Sequence, residues 1–138
     1  MKRGGVEALS AAEPVEAGLI LVVDDEPSVR GVAERILHTA GFTVLTAADG
    51  REAVDIFRGH AGDVALVLLD LTMPHMDGEE TLRALRDIRS DARVILSSGY
   101  TEQEAVNRFT DLGLAGFIQK PYQPQNLVGM IRGLLKKE

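Results

Sequence analysis

The sequence predicts an α/β fold, a doubly wound parallel sheet of five strands with helices on both faces. Two observations carry that prediction. Five short apolar runs, Leu19–Val23, Thr43–Ala47, Val64–Leu69, Arg93–Ser97 and Ala115–Ile118, alternate with longer amphipathic stretches. Three of these runs are apolar at nearly every residue, which suits strands buried on both sides by crossover helices. Five β-then-α units in the 120 residues from Leu19 to Glu138 leave few other architectures, given right-handed crossovers.

The first run is followed by Pro27, which fits a first helical position. Val29, Val32 or Ala33, Ile36 and Ala40 then share one helical face before Gly41 ends the helix. Asp49 with Glu52, Asp77 with Glu80 and Thr101 with Glu104 have capping-box spacing and predict the next three helix starts. The last helix is expected from Pro124, with Leu127, Ile131, Leu134 and Leu135 turned inward. Gln123 before it is a weaker cap than Ser or Asp. Residues 1–18 lack a sustained period and hold Pro14 at their centre, which reads as a flexible lead-in or linker. The domain proper is expected over residues 19–138. No internal repeat interrupts it.

Composition bounds the function. The 138 residues are 45% hydrophobic, enough for one core, and the net charge of −6 argues against binding nucleic acid through its phosphates. The absence of cysteine excludes disulfides and thiolate metal sites. Ala17–Val23 and Val64–Leu69 are too short to span a bilayer, and Glu7 interrupts the N-terminus before a signal-like apolar stretch forms. A soluble, cytoplasmic domain without direct membrane contact is expected, whether or not a parent protein is membrane-bound.

Doubly wound sheets hold ligands at the carboxyl ends of their strands. There the sequence places Asp24, Asp25 and Glu26 after the first strand, Asp70 after the third, Ser97 and Ser98 at the fourth, and Lys120 with Pro121 after the fifth. A single Asp after a strand is most often a cap or turn former. Several carboxylates gathered from separate strands would repel one another and raise each other's pKa. A hard cation such as Mg²⁺ relieves that repulsion, and Lys120 adds a second positive charge. The set points to phosphoryl transfer, in which a carboxylate is already a competent nucleophile and the protein supplies alignment and charge neutralisation.

The stretches LILVVDDEPSVR, ALVLLDLTMPHMDG, VILSSGY and AGFIQKPY resemble, in order and spacing, the receiver domain of bacterial response regulators and hybrid histidine kinases. The resemblance covers residues 18–138. It implies a flavodoxin-like (βα)5 fold, like that of the chemotaxis regulator, with strand order 2-1-3-4-5. It also implies a regulatory domain that catalyses only its own phosphorylation and dephosphorylation. Asp70 would form the aspartyl phosphate. Asp25 would bind Mg²⁺ (or Mn²⁺) directly and Asp24 through water, with Asp70 and the Thr72 carbonyl completing the metal set. Lys120 would pair with the phosphoryl group. Ser98, preferred to Ser97 because Gly99 follows it, would be the switch hydroxyl, and Phe117 the aromatic that moves with it.

Met73, Pro74, Asp77 and Gly78 would shape the loop after the acceptor. Thr72 and Tyr100 would tune the phosphate lifetime. His75 reads as an exposed loop residue, and His38 and His60 lack the surroundings of a phosphorylatable histidine. The donor would be a histidine kinase or histidine phosphotransfer protein. The reader would be an unidentified downstream protein docking on the helix expected from Thr101, the fifth strand and the last helix. GFTVLTAADGREAV and SSGYTEQEAV look most like receivers at the C-terminus of hybrid histidine kinases. A haloacid-dehalogenase-type phosphatase would need a second Asp where Thr72 stands. An FMN-binding flavodoxin would be repelled by Asp24, Asp25 and Glu26. A degenerate receiver acting only as an interaction module is the remaining alternative, although the acidic and lysine positions are all retained.

Overall fold

The computed structural model describes residues 18–71, 78–98 and 114–136. Within them the order is β1 (Leu19–Val23), α1 (Pro27–Thr39), β2 (Thr43–Ala47), α2 (Gly50–His60), β3 (Val64–Asp70), α3 (Gly78–Ile88), β4 (Val94–Ser98), β5 (Gly116–Gln119) and α4 (Pro124–Lys136). The helix expected from Thr101 lies outside the described residues. All strand pairs are parallel and the sheet runs β2-β1-β3-β4-β5. This is the expected 2-1-3-4-5 order, with β3 central.

Alternate strand residues enter two cores. Leu21, Val23, Val67, Leu69, Val94 and Leu96 pack with Phe57 of α2 and Leu82 and Leu85 of α3. Ile20, Val22, Leu66, Leu68 and Ile95 pack on the other side with Ala33 and Leu37 of α1 and Leu127 and Ile131 of α4. Because β1 and β3 are covered on both sides, they need no polar face, and their sequence shows none.

Three details depart from expectation. β3 extends one residue further, to Asp70, because the ladder continues through Asp70 opposite Ser97. β4 and β5 are each displaced by one residue toward the C-terminus. On α1 the buried residues are Ala33 and Leu37, whereas Val32 is 42% exposed. Its apolar residues form two adjacent stripes, and packing against β1 and β2 buries the one through Ala33 and Leu37 more deeply than the one through Ile36 and Ala40.

The helix ends follow local chemistry. Asp49 accepts the Glu52 N–H at 2.8 Å while the Glu52 carboxylate accepts the N–H of Ala48, a reciprocal cap at the start of α2. Gly41, at φ 101°, turns the chain out of α1 where a side chain would be strained. Among the described residues no helix is long and apolar enough to cross a membrane.

Candidate phosphoryl-acceptor site

Parallel register creates the site. Val23 of β1 pairs with Leu69 of β3, so the next residues, Asp24 and Asp70, emerge side by side at the carboxyl edge. Both are buried, at 1% and 4% exposure, and together with the more exposed Asp25 they offer oxygens within 4.8 Å of one another. Lys120 follows β5, two strands from β3. Its long stem carries the ammonium back across β4, to 2.8 Å from Asp24 Oδ2 and 3.2 Å from Asp70 Oδ1.

The backbone fixes these positions. Asp24 donates its N–H to the Ala47 carbonyl at 3.1 Å, and Lys120 donates its own to Ser98 at 2.8 Å. The Glu26 N–H reaches Asp24 Oδ1 at 2.9 Å, closing a turn over the acidic pair. After β3, the Leu71 N–H bonds to Ser97 and the Gly78 N–H returns to the Leu71 carbonyl at 3.0 Å. A Cβ on Gly78 would lie 2.7 Å from that carbonyl oxygen, so glycine is required for the start of α3 to approach so closely.

The electrostatics show an excess of negative charge. Burial and the neighbouring Asp24 push the Asp70 carboxyl up to about 7, against the opposing pull of Lys120. Burial works against the Lys120 ammonium, but the Asp24 hydrogen bond and the two carboxylate charges outweigh it and hold its pKa above the ordinary lysine value. The three carboxylates and their unbalanced charge fit a hard, oxygen-seeking divalent cation. Burial raises the nearby Tyr122 hydroxyl to about 12, opposed by its contact with fully buried Ser97.

Of the residues singled out from sequence, Asp24, Asp25, Asp70 and Lys120 therefore converge. Ser98 is also buried, at the end of β4. Strand alternation places it on the side of Leu96, whose partner in β5 is Phe117. Phe117 packs half-buried on the core under α2 and α3, so the hydroxyl and the aromatic share a face. Thr72, Met73, Pro74, His75, Asp77, Gly99 and Tyr100 lie outside the described residues. Sequence reasoning missed Arg30, whose guanidinium donates to the Asp24 carbonyl at 2.7 Å. An open groove of about 670 Å³ between α1 and α4, lined by Val32, Ile36, Pro124 and Val128, shares no residue with this site.

Residues 20–132 match the family model described as the response regulator receiver domain. The chain is 36% identical over 119 residues to the sensor kinase CckA of Brucella abortus (strain 2308), covering 86% of this chain and 13% of that protein. It spans about half the length of the transcriptional regulators it also matches. The receiver domain of the hybrid histidine kinase CckA superposes with a TM-score of 0.73 at 36% identity, over 86% of this chain and 99% of that one. CheY in the CheX–CheY–BeF3–Mg²⁺ complex of Borrelia burgdorferi superposes with a TM-score of 0.82 at 31% identity, over 87% and 90%.

Proposed function

The chain belongs to the response regulator receiver domains, and from that premise we propose that it accepts a phosphoryl group on Asp70 from a phosphohistidine. The observation that carries the proposal is the convergence of Asp24, Asp25 and Asp70 within 4.8 Å, with Lys120 bridging two of them. Asp25 would hold Mg²⁺ directly and Asp24 through water, with Asp70 and the Thr72 carbonyl as further ligands. The presence of Mg²⁺ in the Borrelia CheX–CheY complex supports a divalent cation here, while the individual ligand roles rest on the family resemblance. When bound, the cation supplies charge neutralisation at the phosphoryl oxygens.

The remaining work falls to the chain itself. A carboxylate oxygen of Asp70 attacks phosphorus as the P–N bond to the donor imidazole breaks, and the leaving nitrogen keeps that electron pair. No general base is needed, because the nucleophile is the ionised acid. Lys120 already stands beside Asp70 and holds a phosphoryl oxygen through the loose transition state. Ser98 donates its hydroxyl to another oxygen, and Phe117 on the same face follows the hydroxyl inward. The surface of β5, α4 and the segment from Thr101 then changes shape for a partner whose preference for one form sets the response. The donor would be a histidine kinase or a histidine phosphotransfer protein, and a cytoplasmic site of action suits either.

Intact mass after incubation with Mg²⁺ and acetyl phosphate tests the proposal. One Mg²⁺-dependent phosphate adduct is expected in the wild type and none in Asp70→Asn. A folded wild type that formed no adduct with acetyl phosphate or with a phosphorylated histidine donor would overturn it and leave an interaction module.

A further inference from the structure

The geometry assigns Arg30 as a positioning residue that clamps the Asp24–Asp25 peptide and so presents Asp25 to a divalent cation. This inference rests on the Mg²⁺ reading above. Sheet pairing of β1 ends at Val23, where the last partners are Ala47 and Leu69. Beyond that point the Asp24 N–H still finds the Ala47 carbonyl, but the Asp24 carbonyl has passed the end of the ladder.

Arg30 supplies what the ladder no longer does. Its guanidinium meets that carbonyl at 2.7 Å, a short charge-assisted bond to a neutral acceptor. The Arg30 backbone N–H bonds to the Glu26 carbonyl at 2.9 Å, and the Glu26 N–H holds Asp24 Oδ1. The turn is therefore closed into a ring from Asp24 to Arg30, tied at three points.

The Asp24 carbonyl belongs to the peptide that links Asp24 to Asp25. Turning that peptide moves the Cα from which the Asp25 side chain projects. Asp24 has other anchors, since Lys120 and the Glu26 N–H hold its two carboxylate oxygens. Asp25, the most exposed of the three acids, shares a side-chain hydrogen bond with Asp70 and otherwise takes its aim from this peptide. Groups that orient a ligand from behind commonly govern affinity by about tenfold or more.

Mg²⁺ binding to the full chain, measured by titration calorimetry, tests the assignment in the wild type, Arg30→Lys and Arg30→Gln. We expect Arg30→Gln to weaken Mg²⁺ about tenfold with a proportionately small fall in the melting temperature without metal. Arg30→Lys, which keeps a charged donor, should recover most of the affinity. Unchanged or tighter Mg²⁺ binding in Arg30→Gln would overturn the clamp, since removal of a merely repelling charge would tighten it. So would a loss of metal-free melting temperature that paralleled the loss of affinity. A wild type that bound no Mg²⁺ would instead overturn the cation reading beneath it.

Discussion

On the side of the sheet covered by α1 and α4, strand alternation places Asp24, Asp70 and Lys120; on the side covered by α2 and α3 it places Ser98 and Phe117. The first group consists of charges locked in ion pairs and backbone bonds. The second consists of a hydroxyl and a half-buried ring set against apolar packing. Capturing a charge demands fixed, opposed groups at the edge of the sheet. In the proposed switch, relaying phosphorylation would demand a side chain that has somewhere to go. Parallel pairing permits both within a few residues, because neighbours along one strand point to opposite layers.

Substitutions should separate the two sides. The largest effect is expected from Lys120→Ala, which removes the cation shared by Asp24 and Asp70. Its phosphorylation rate with acetyl phosphate at saturating Mg²⁺ should fall about 100-fold, and a rate near wild type would remove Lys120 from the charge-capturing group.

Next comes stability without metal. The raised Asp70 pKa means that the folded protein binds this proton more tightly than the unfolded chain. Stability is therefore lost as pH climbs from the ordinary carboxylate value of 3.8 toward about 7. Asp70→Asn should abolish that loss and add about 2 kcal/mol at pH 8, the cost of burying an amide offsetting part of a larger gain. At pH 4 and below that gain vanishes while the cost of the amide remains, so the variant should unfold at a lower urea concentration than the wild type. A variant less stable than wild type at pH 8 would contradict the excess of negative charge.

The smallest effect belongs to the opposite side. Ser98→Ala should slow phosphorylation about tenfold and still give a full adduct, because one hydrogen bond to a developing charge is lost while the charges remain. If Ser98→Ala were as damaging as Lys120→Ala, the division between capture and relay would fail.

Much of this was legible in the sequence because both strand identity and site position follow from simple patterns. Uniformly apolar runs announced β1 and β3, and residues at strand ends announced Asp24, Asp70 and Lys120. Strand ends were misplaced by one residue because polar Asp70 and Ser98 resemble exits from a sheet although the ladder still holds them. The expected face of α1 includes Ala33 only as an alternative to Val32, and takes Ile36 in place of Leu37, because helical periodicity alone does not choose between adjacent stripes. Arg30 closes the LILVVDDEPSVR stretch, but nothing in its spacing marks it as a site residue. Its partner is a backbone carbonyl, and any residue at position 24 would display one.

The contact between Gly78 and Leu71 has a consequence for how this domain can vary. A backbone hydrogen bond of 3.0 Å, made of atoms common to every amino acid, seats the start of α3 on the residue that follows β3. What that seat asks of the sequence is a missing Cβ at Gly78. Neighbouring side chains can therefore be rewritten without touching the seat, whereas a methyl group added at position 78 would press on the Leu71 carbonyl and disturb the end of β3 from behind.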